Sequence, residues 1–253
     1  MRRDAAEEAL SKVPEVTLLF WIIKIMATTL GETGGDAVSM SMGLGYLVGT
    51  AIFAALFLIS VAVQIKAVRF HPVIYWVTIV ATTTVGTTLA DFFDRSLGIG
   101  YAGGASLLFI LLMASLAIWH RVMGSVSVDS VSNRKTEMFY WITIMFSQTL
   151  GTAAGDWVAD SAKLGYTGGM VVFIGLLAVV VALYYKTRIS RTALFWAAFI
   201  LTRPLGAVVG DFLDKPLTAG GLALSRYAAS GVLLALMAGC IFFFPHRASQ
   251  KAH

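Results

Sequence analysis

An all-α polytopic membrane protein of eight helices, arranged as four parallel two-helix repeats, is the fold class this sequence predicts. Three observations predict it. Hydrophobic residues make up 58% of the 253-residue chain and charged residues 13%, with a mean hydropathy of +0.80, a composition that belongs to membrane-spanning chains. Eight apolar stretches of about 20 residues, the length that crosses a bilayer as a helix, fall at roughly 16–37, 46–66, 72–93, 102–120, 138–158, 167–186, 193–214 and 226–245. Finally, the framework Trp-x9-Gly-x4-Asp occurs four times, as Trp21/Gly31/Asp36, Trp76/Gly86/Asp91, Trp141/Gly151/Asp156 and Trp196/Gly206/Asp211.

Before the first span lies a segment, 1–14, carrying Arg2, Arg3, Asp4, Glu7, Glu8 and Lys12 and no apolar core. It does not read as a cleavable signal peptide, so the first helix is expected to act as its own insertion signal. Repeat 1 then covers 15–71, repeat 2 72–121, repeat 3 137–192 and repeat 4 193–245, with a polar linker at 122–136 and a tail at 246–253. The odd-numbered helices begin near the tryptophan and carry polar residues. Even-numbered helices, such as YLVGTAIFAALFLISVAVQ, carry no charge within their span. Odd helices are therefore expected inside and even helices outside, facing lipid.

Repeats 2 and 4 share Asp-Phe-x-Asp-basic-x-Leu (from Asp91 and Asp211), whereas repeats 1 and 3 share Thr-Leu-Gly (Thr29–Gly31, Thr149–Gly151). Tryptophan spacings of 55, 65 and 55 residues agree with duplication of a two-repeat unit, giving two halves hinged at the linker. The Lys/Arg bias, thirteen at the termini and between repeats against four within repeats, predicts cytoplasmic termini by the positive-inside rule. The tryptophans then fall at the cytoplasmic interface as membrane anchors, and the repeat aspartates lie about 22 Å deeper.

These repeats, each with two predicted spans and a characteristic tryptophan, resemble the bacterial membrane-protein family known as a repeat of unknown function. The resemblance runs from about residue 15 to 245. It implies this fold and a bacterial inner-membrane setting, and it brings no activity.

Seven, eleven and fifteen residues after each tryptophan stand Thr28, Glu32, Asp36; Thr83, Thr87, Asp91; Gln148, Thr152, Asp156; and Arg203, Ala207, Asp211. Residues four apart share a helix face, so these form one polar stripe per inner helix, and four such stripes converging would line a shared cavity. Glu32, Asp36, Asp91, Asp156 and Asp211 are the expected cation- or proton-binding groups. Thr28, Thr83, Thr87, Gln148 and Thr152 line the route, and Lys24 and Arg203 control charge. Five carboxylates against two cations leave a net −3, which calls for a bound cation or protons. An alternative reading has Lys24 and Arg203 simply neutralising Glu32 and a neighbouring aspartate in a structural network. Each aspartate also lies near the electronegative end of its helix if the helix stops soon after it. Asp94/Arg95 and Asp214/Lys215 read as rim charges, and Pro204 is expected to loosen the fourth inner helix.

All-oxygen ligands suit a bound hard ion such as Mn²⁺, Mg²⁺ or Ca²⁺, or else Na⁺ or H⁺. The four histidines fall away from the acids, and Cys240, the only cysteine, leaves no disulfide and no thiolate metal site. The basic excess of +5 is spread over short loops and gives no nucleic-acid footprint. The expected partners are therefore the lipid bilayer and a small cation substrate. The leading expectation is a transporter or channel rather than an enzyme. A non-transporting sensor or accessory subunit stands second, and an intramembrane aspartyl hydrolase is a remote third, because Gly-x-Gly-Asp is absent from all four repeats.

Overall fold

The computed structural model describes residues 11–249 and contains eight long helices. The inner helices are α1 (Leu18–Asp36), α3 (Pro72–Asp91), α5 (Arg134–Asp156) and α7 (Arg191–Asp214). The outer ones are α2 (Gly45–Lys66), α4 (Tyr101–Met123), α6 (Gly165–Lys186) and α8 (Arg226–Phe243). Local sequence sets their starts. The Thr17 hydroxyl accepts the Phe20 N–H at the head of α1, Pro72 opens α3, an Asn133/Thr136 capping box opens α5, and Ser190 and Ser225 cap α7 and α8. Each cap satisfies amide donors that a helix start leaves free. Gly45 and Gly165, at φ near +70°, make the same left-handed entry into α2 and α6, a conformation that side chains beyond glycine resist.

Six of the eight helices are long and apolar enough to cross a membrane. The other two, α1 and α5, carry the densest polar stripes and stand in the same ring as α3 and α7. The protein is thus an all-α membrane protein. Residues of α1, α3, α5 and α7 are mostly buried, while those of the outer helices are mostly exposed to the surroundings.

The inner helices pack in the cyclic order α1, α3, α5, α7 and back to α1. Each outer helix packs chiefly on the inner helix of the following repeat: α2 on α3, α4 on α5, α6 on α7, and α8 on α1. The repeats are therefore interlocked in a closed ring, and no seam divides two halves.

That corrects the expected hinge. The linker is shorter than 122–136, because α4 runs to Met123 and α5 starts at Arg134. Val128 and Val131 are buried in the main apolar core, and the Ser11 hydroxyl donates to the Val128 carbonyl at 2.6 Å. Ser249 hydrogen-bonds Val13 through the backbone and Asp129 through its side chain, so both ends of the described chain meet the linker on one side of the bundle. Lys12 bridges Glu137 at 2.6 Å. Arg2, Arg3, Asp4, Glu7 and Glu8, and Lys251 with His253 in the tail, lie outside the described residues.

The tryptophans are also corrected. Trp76, Trp141 and Trp196 are buried, in edge-to-face contact with Tyr75, Tyr140 and Phe195, and only Trp21 is partly exposed. They build the core at one end of the ring instead of anchoring in the headgroups, because the neighbouring inner helices and the preceding outer helix enclose them.

The helix ends near the aspartates differ from expectation too. After Asp36, Asp91 and Asp156 the chain continues through one π-helical turn, Ala37–Ser41, Phe92–Ser96 and Trp157–Ser161. Such turns are rare and concentrate at functional sites. They carry the free carbonyls onward, so only Asp211 stands near a true helix end. Pro204 lies inside an unbroken α7.

A glycine ten residues after each tryptophan closes the ring. A Cβ at Gly31 would overlap Thr83; one at Gly86 would sit 3.0 Å from the Gln148 backbone; one at Gly151 would overlap Arg203, and one at Gly206 would overlap Thr28. Each glycine thus receives the next repeat's residue at position seven. Gly206→Ala is expected to cost about 1–3 kcal/mol or more, the range for overpacking, read as a lowered melting temperature of the purified protein; Gly175→Ala, at a site with open space around it, is the control.

Candidate functional site

Following the inward face of each inner helix in steps of four gives five layers of four side chains along the ring axis. At the tryptophan end come Phe20, Tyr75, Tyr140 and Phe195, with the two tyrosine hydroxyls hydrogen-bonded at 2.6 Å. Below them lie Lys24, Ile79, Ile144 and Phe199, all with 0% exposure. The third layer is Thr28, Thr83, Gln148 and Arg203; the fourth is Glu32, Thr87, Thr152 and Ala207; the last is Asp36, Asp91, Asp156 and Asp211. Every residue of the expected polar stripe is buried. The axis therefore grades from an aromatic plug to an acidic mouth.

Threonines are inexpensive in this setting because their hydroxyls return to the carbonyl one turn back: Thr82, Thr84 and Thr88 on α3 all do so. Thr28 also lies 3.2 Å from the Thr202 carbonyl of α7.

Charge in the fourth layer is paired across the ring. Arg203 Nη2 lies 3.0 Å from Glu32 Oε2 and 2.6 Å from Thr87 Oγ1, and it also donates to Thr152 Oγ1. One guanidinium thus ties α7 to α1, α3 and α5.

In the acidic layer, cations join the aspartates in pairs. Arg95 bridges Asp91 at 2.9 Å and Asp156 at 3.2 Å. Lys215 bridges Asp36 at 2.5 Å and Asp211 at 3.0 Å. Arg226 holds Asp214 at 2.5 Å, stands 3.7 Å from Asp36 and reaches Ser41 at 3.1 Å. The two pairs Asp91/Asp156 and Asp211/Asp36 are related by the twofold character of the sequence, since Arg95 and Lys215 both stand four residues after a repeat aspartate.

Several expectations change here. Lys215 is not a rim charge, since it is buried and turns inward; Arg95 is exposed, as a rim charge is, and still bridges two buried aspartates. Asp94 and Asp214 are buried as well. Lys24 does not neutralise a carboxylate: its ammonium lies over the Phe199 ring, 4.1 Å from the centroid, and has no hydrogen-bond partner. Only Arg203 fulfils the expected pairing with Glu32. The net −3 is likewise revised: three cations, Arg95, Lys215 and Arg226 at the head of α8, add +3 and the buried Asp94 and Asp214 add −2, leaving −2 for the enlarged set. Sequence carried the signal for two of these three, because a basic residue four positions after the aspartate shares its helical face.

Among the described residues, carboxylates gather into two triads in which one oxygen from each residue lies within 4.8 Å of the others: Glu32/Asp36/Asp91 and Asp36/Asp211/Asp214. Asp36 is common to both. Asp156 stands outside them and is joined through Arg95. An all-oxygen, acidic donor set of this kind suits a hard cation, with Lys215 placed where such an ion would compete with it.

Comparison with known proteins gives the architecture a family. No curated protein and no solved structure matches the chain. A family model described as Repeat of Unknown Function (DUF347) matches four times, over residues 19–70, 74–125, 139–190 and 194–247, in register with the four inner–outer helix pairs. On those four matches, which span most of its length, this chain belongs to the DUF347 repeat family.

Proposed function

We propose that this protein is an integral membrane transporter of a small hard cation, coupled to protons or to a second ion, in a bacterial inner membrane. The tryptophan end and both termini face the cytoplasm in this reading, as the Lys/Arg bias favours. The observation that carries it is the convergence of Glu32, Asp36, Asp91, Asp156 and Asp211 from all four repeats in a buried layer of membrane-crossing helices. Ionisable groups at such depth are expensive and mark ion pathways.

The geometry suits a carrier better than an open channel. Four aromatic side chains and the Tyr75–Tyr140 hydrogen bond close the axis at one end, and Arg203 spans it in the middle. In the cation-free form Lys215 and Arg95 act as internal counterions. An arriving ion at Asp36 and Asp211 would take the place of the Lys215 ammonium, which sits on a flexible stem and withdraws more readily than a guanidinium fork. Loss of that bridge would loosen the junction between repeats 4 and 1, the step at which access could alternate.

The test is uptake into proteoliposomes loaded with a pH-sensitive dye, offering Mn²⁺, Ca²⁺, Mg²⁺ and Na⁺ in turn. Asp36→Asn, Asp91→Asn, Asp156→Asn and Asp211→Asn are each expected to abolish flux while the protein remains folded. Wild-type transport by all four variants would overturn the proposal.

A non-transporting sensor or accessory subunit is the second reading, favoured by one observation: the acids are already paired with protein cations. A stoichiometric partner co-purifying with a chain that moves none of these ions would select it. A hydrolase has less support, because the aspartate pairs are bridged by Arg95 and Lys215 rather than by a shared proton.

A further inference from the structure

The second and third layers of the axis hold the opposite charge from the acidic mouth, and much of their polar capacity is unpaired. Lys24 Nζ is fully buried and makes no hydrogen bond. Arg203 uses Nη2 alone for Glu32, Thr87 and Thr152, while its Nε and Nη1 have no partner. Both polar atoms of the Gln148 carboxamide and the Thr83 hydroxyl, in the same layer as Arg203, are likewise buried without partners. Around them stand Ile79, Ile144 and Phe199, with the aromatic layer beyond.

An isolated buried charge is strongly unfavourable unless a counter-charge reaches it. The carboxylate two turns along the same stripe, Glu32, is already committed to Arg203. The unpartnered set is rich in donors: three N–H on Lys24, the N–H groups of Arg203 Nε and Nη1, the Gln148 amide and the Thr83 hydroxyl. Its acceptors are the Gln148 oxygen and the same hydroxyl. Water, which needs to accept and donate, is a poorer match for this set than an anion, which only accepts. Close packing, with Gly31 against Thr83 and Gly86 against Gln148, restricts the occupant to a small one.

We propose that Lys24, the Nη1 group of Arg203 and the Gln148 amide hold a small monovalent anion on the ring axis, between the aromatic plug and the Arg203–Glu32 ion pair. The phenyl face of Phe199 supplies Lys24 with a weak electrostatic partner, and the anion supplies the strong one. The site is independent of whether a cation crosses the acidic layer, and its test reads binding rather than flux.

Bromide is the probe. Purified full-length protein in detergent is melted in increasing sodium bromide, with sodium gluconate, too bulky for the site, holding ionic strength constant. Wild type is expected to show a saturable upward shift on the order of 2–4 °C. Lys24→Met, of similar length and uncharged, is expected to lose that shift and to melt no lower than wild type in gluconate alone; Lys24→Gln serves if the methionine variant does not fold. Anomalous diffraction from bromide-soaked wild-type crystals should place one peak between Lys24 and Arg203. A wild-type melting temperature insensitive to bromide, an equal response in the Lys24 variants, or the absence of that peak would overturn the proposal.

Discussion

Arg203→Met is expected to destabilise the protein by about 3–5 kcal/mol, the range for removing one partner of a buried ion pair. The guanidinium is fully buried and joins all four inner helices, through its own backbone on α7 and through Glu32, Thr87 and Thr152. Without it the Glu32 carboxylate stands uncompensated among three neighbouring aspartates, whereas the Cβ and Cγ that pack against Gly151 are kept by methionine. A second change separates charge from packing. Glu32→Gln in the Arg203→Met background removes the orphaned charge and should recover most of the loss, because a neutral amide can still hydrogen-bond Thr87. Unfolding of the single and double variants in a denaturing detergent series measures both quantities. If the double variant is no more stable than Arg203→Met alone, Arg203 acts through packing and the charge argument fails.

Much of this arrangement is legible in the sequence, for a simple reason. Helices are straight at this scale, so residues four apart share a face whatever surrounds them; the stripe from Thr28 to Asp36 and its three counterparts needed no tertiary knowledge. Signals for helix starts are local too, since Pro72, Asn133, Ser190 and Ser225 act within a turn of the first helical residue. The two layers nearest the tryptophans were not, although they lie on the same stripe. Lys24, Ile79, Ile144 and Phe199 have no one residue type in common, so no repetition marks that layer, and the aromatic before each tryptophan, Phe20, Tyr75, Tyr140 and Phe195, reads as part of an apolar span.

Burial of Trp76, Trp141 and Trp196 was hidden because hydropathy reports apolarity, and a protein core and lipid are equally apolar. The interlock, with each outer helix on the next repeat's inner helix, was hidden by the repeats themselves. When four units carry the same pattern, packing within a unit and packing on its neighbour satisfy that pattern equally well. Lys215 was misplaced, and the inward reach of the exposed Arg95 missed, because a charge beside a loop ordinarily faces water. Here the π turn that follows Asp91 keeps Arg95 on the face of its aspartate, and the extended backbone at Lys215 leaves the ammonium over Asp36 and Asp211.

Lys215→Met should tighten binding of a hard divalent cation rather than weaken it, and this result bears most directly on whether the acidic layer is a site or a scaffold. The ammonium stands 2.5 Å from Asp36 and 3.0 Å from Asp211, inside the triad Asp36/Asp211/Asp214. A unit charge about 4 Å away is worth about 4 kcal/mol at an effective dielectric of 20. Even if relaxation and solvent absorb most of that, removing it is expected to raise Mn²⁺ or Ca²⁺ affinity by at least about tenfold, measured by equilibrium dialysis against the purified protein. The same variant without divalent ions should be less stable than wild type, because Asp36 and Asp211 then repel each other unbridged, and added cation should restore the loss in a saturable way. Transport supplies the opposing arm: a carrier that holds its ion too tightly releases it slowly, so Lys215→Met should bind better and turn over more slowly. If the variant is destabilised and neither Mn²⁺, Ca²⁺ nor Mg²⁺ rescues it, the lysine is a structural tie, and the acids exist to hold four repeats together rather than to receive an ion.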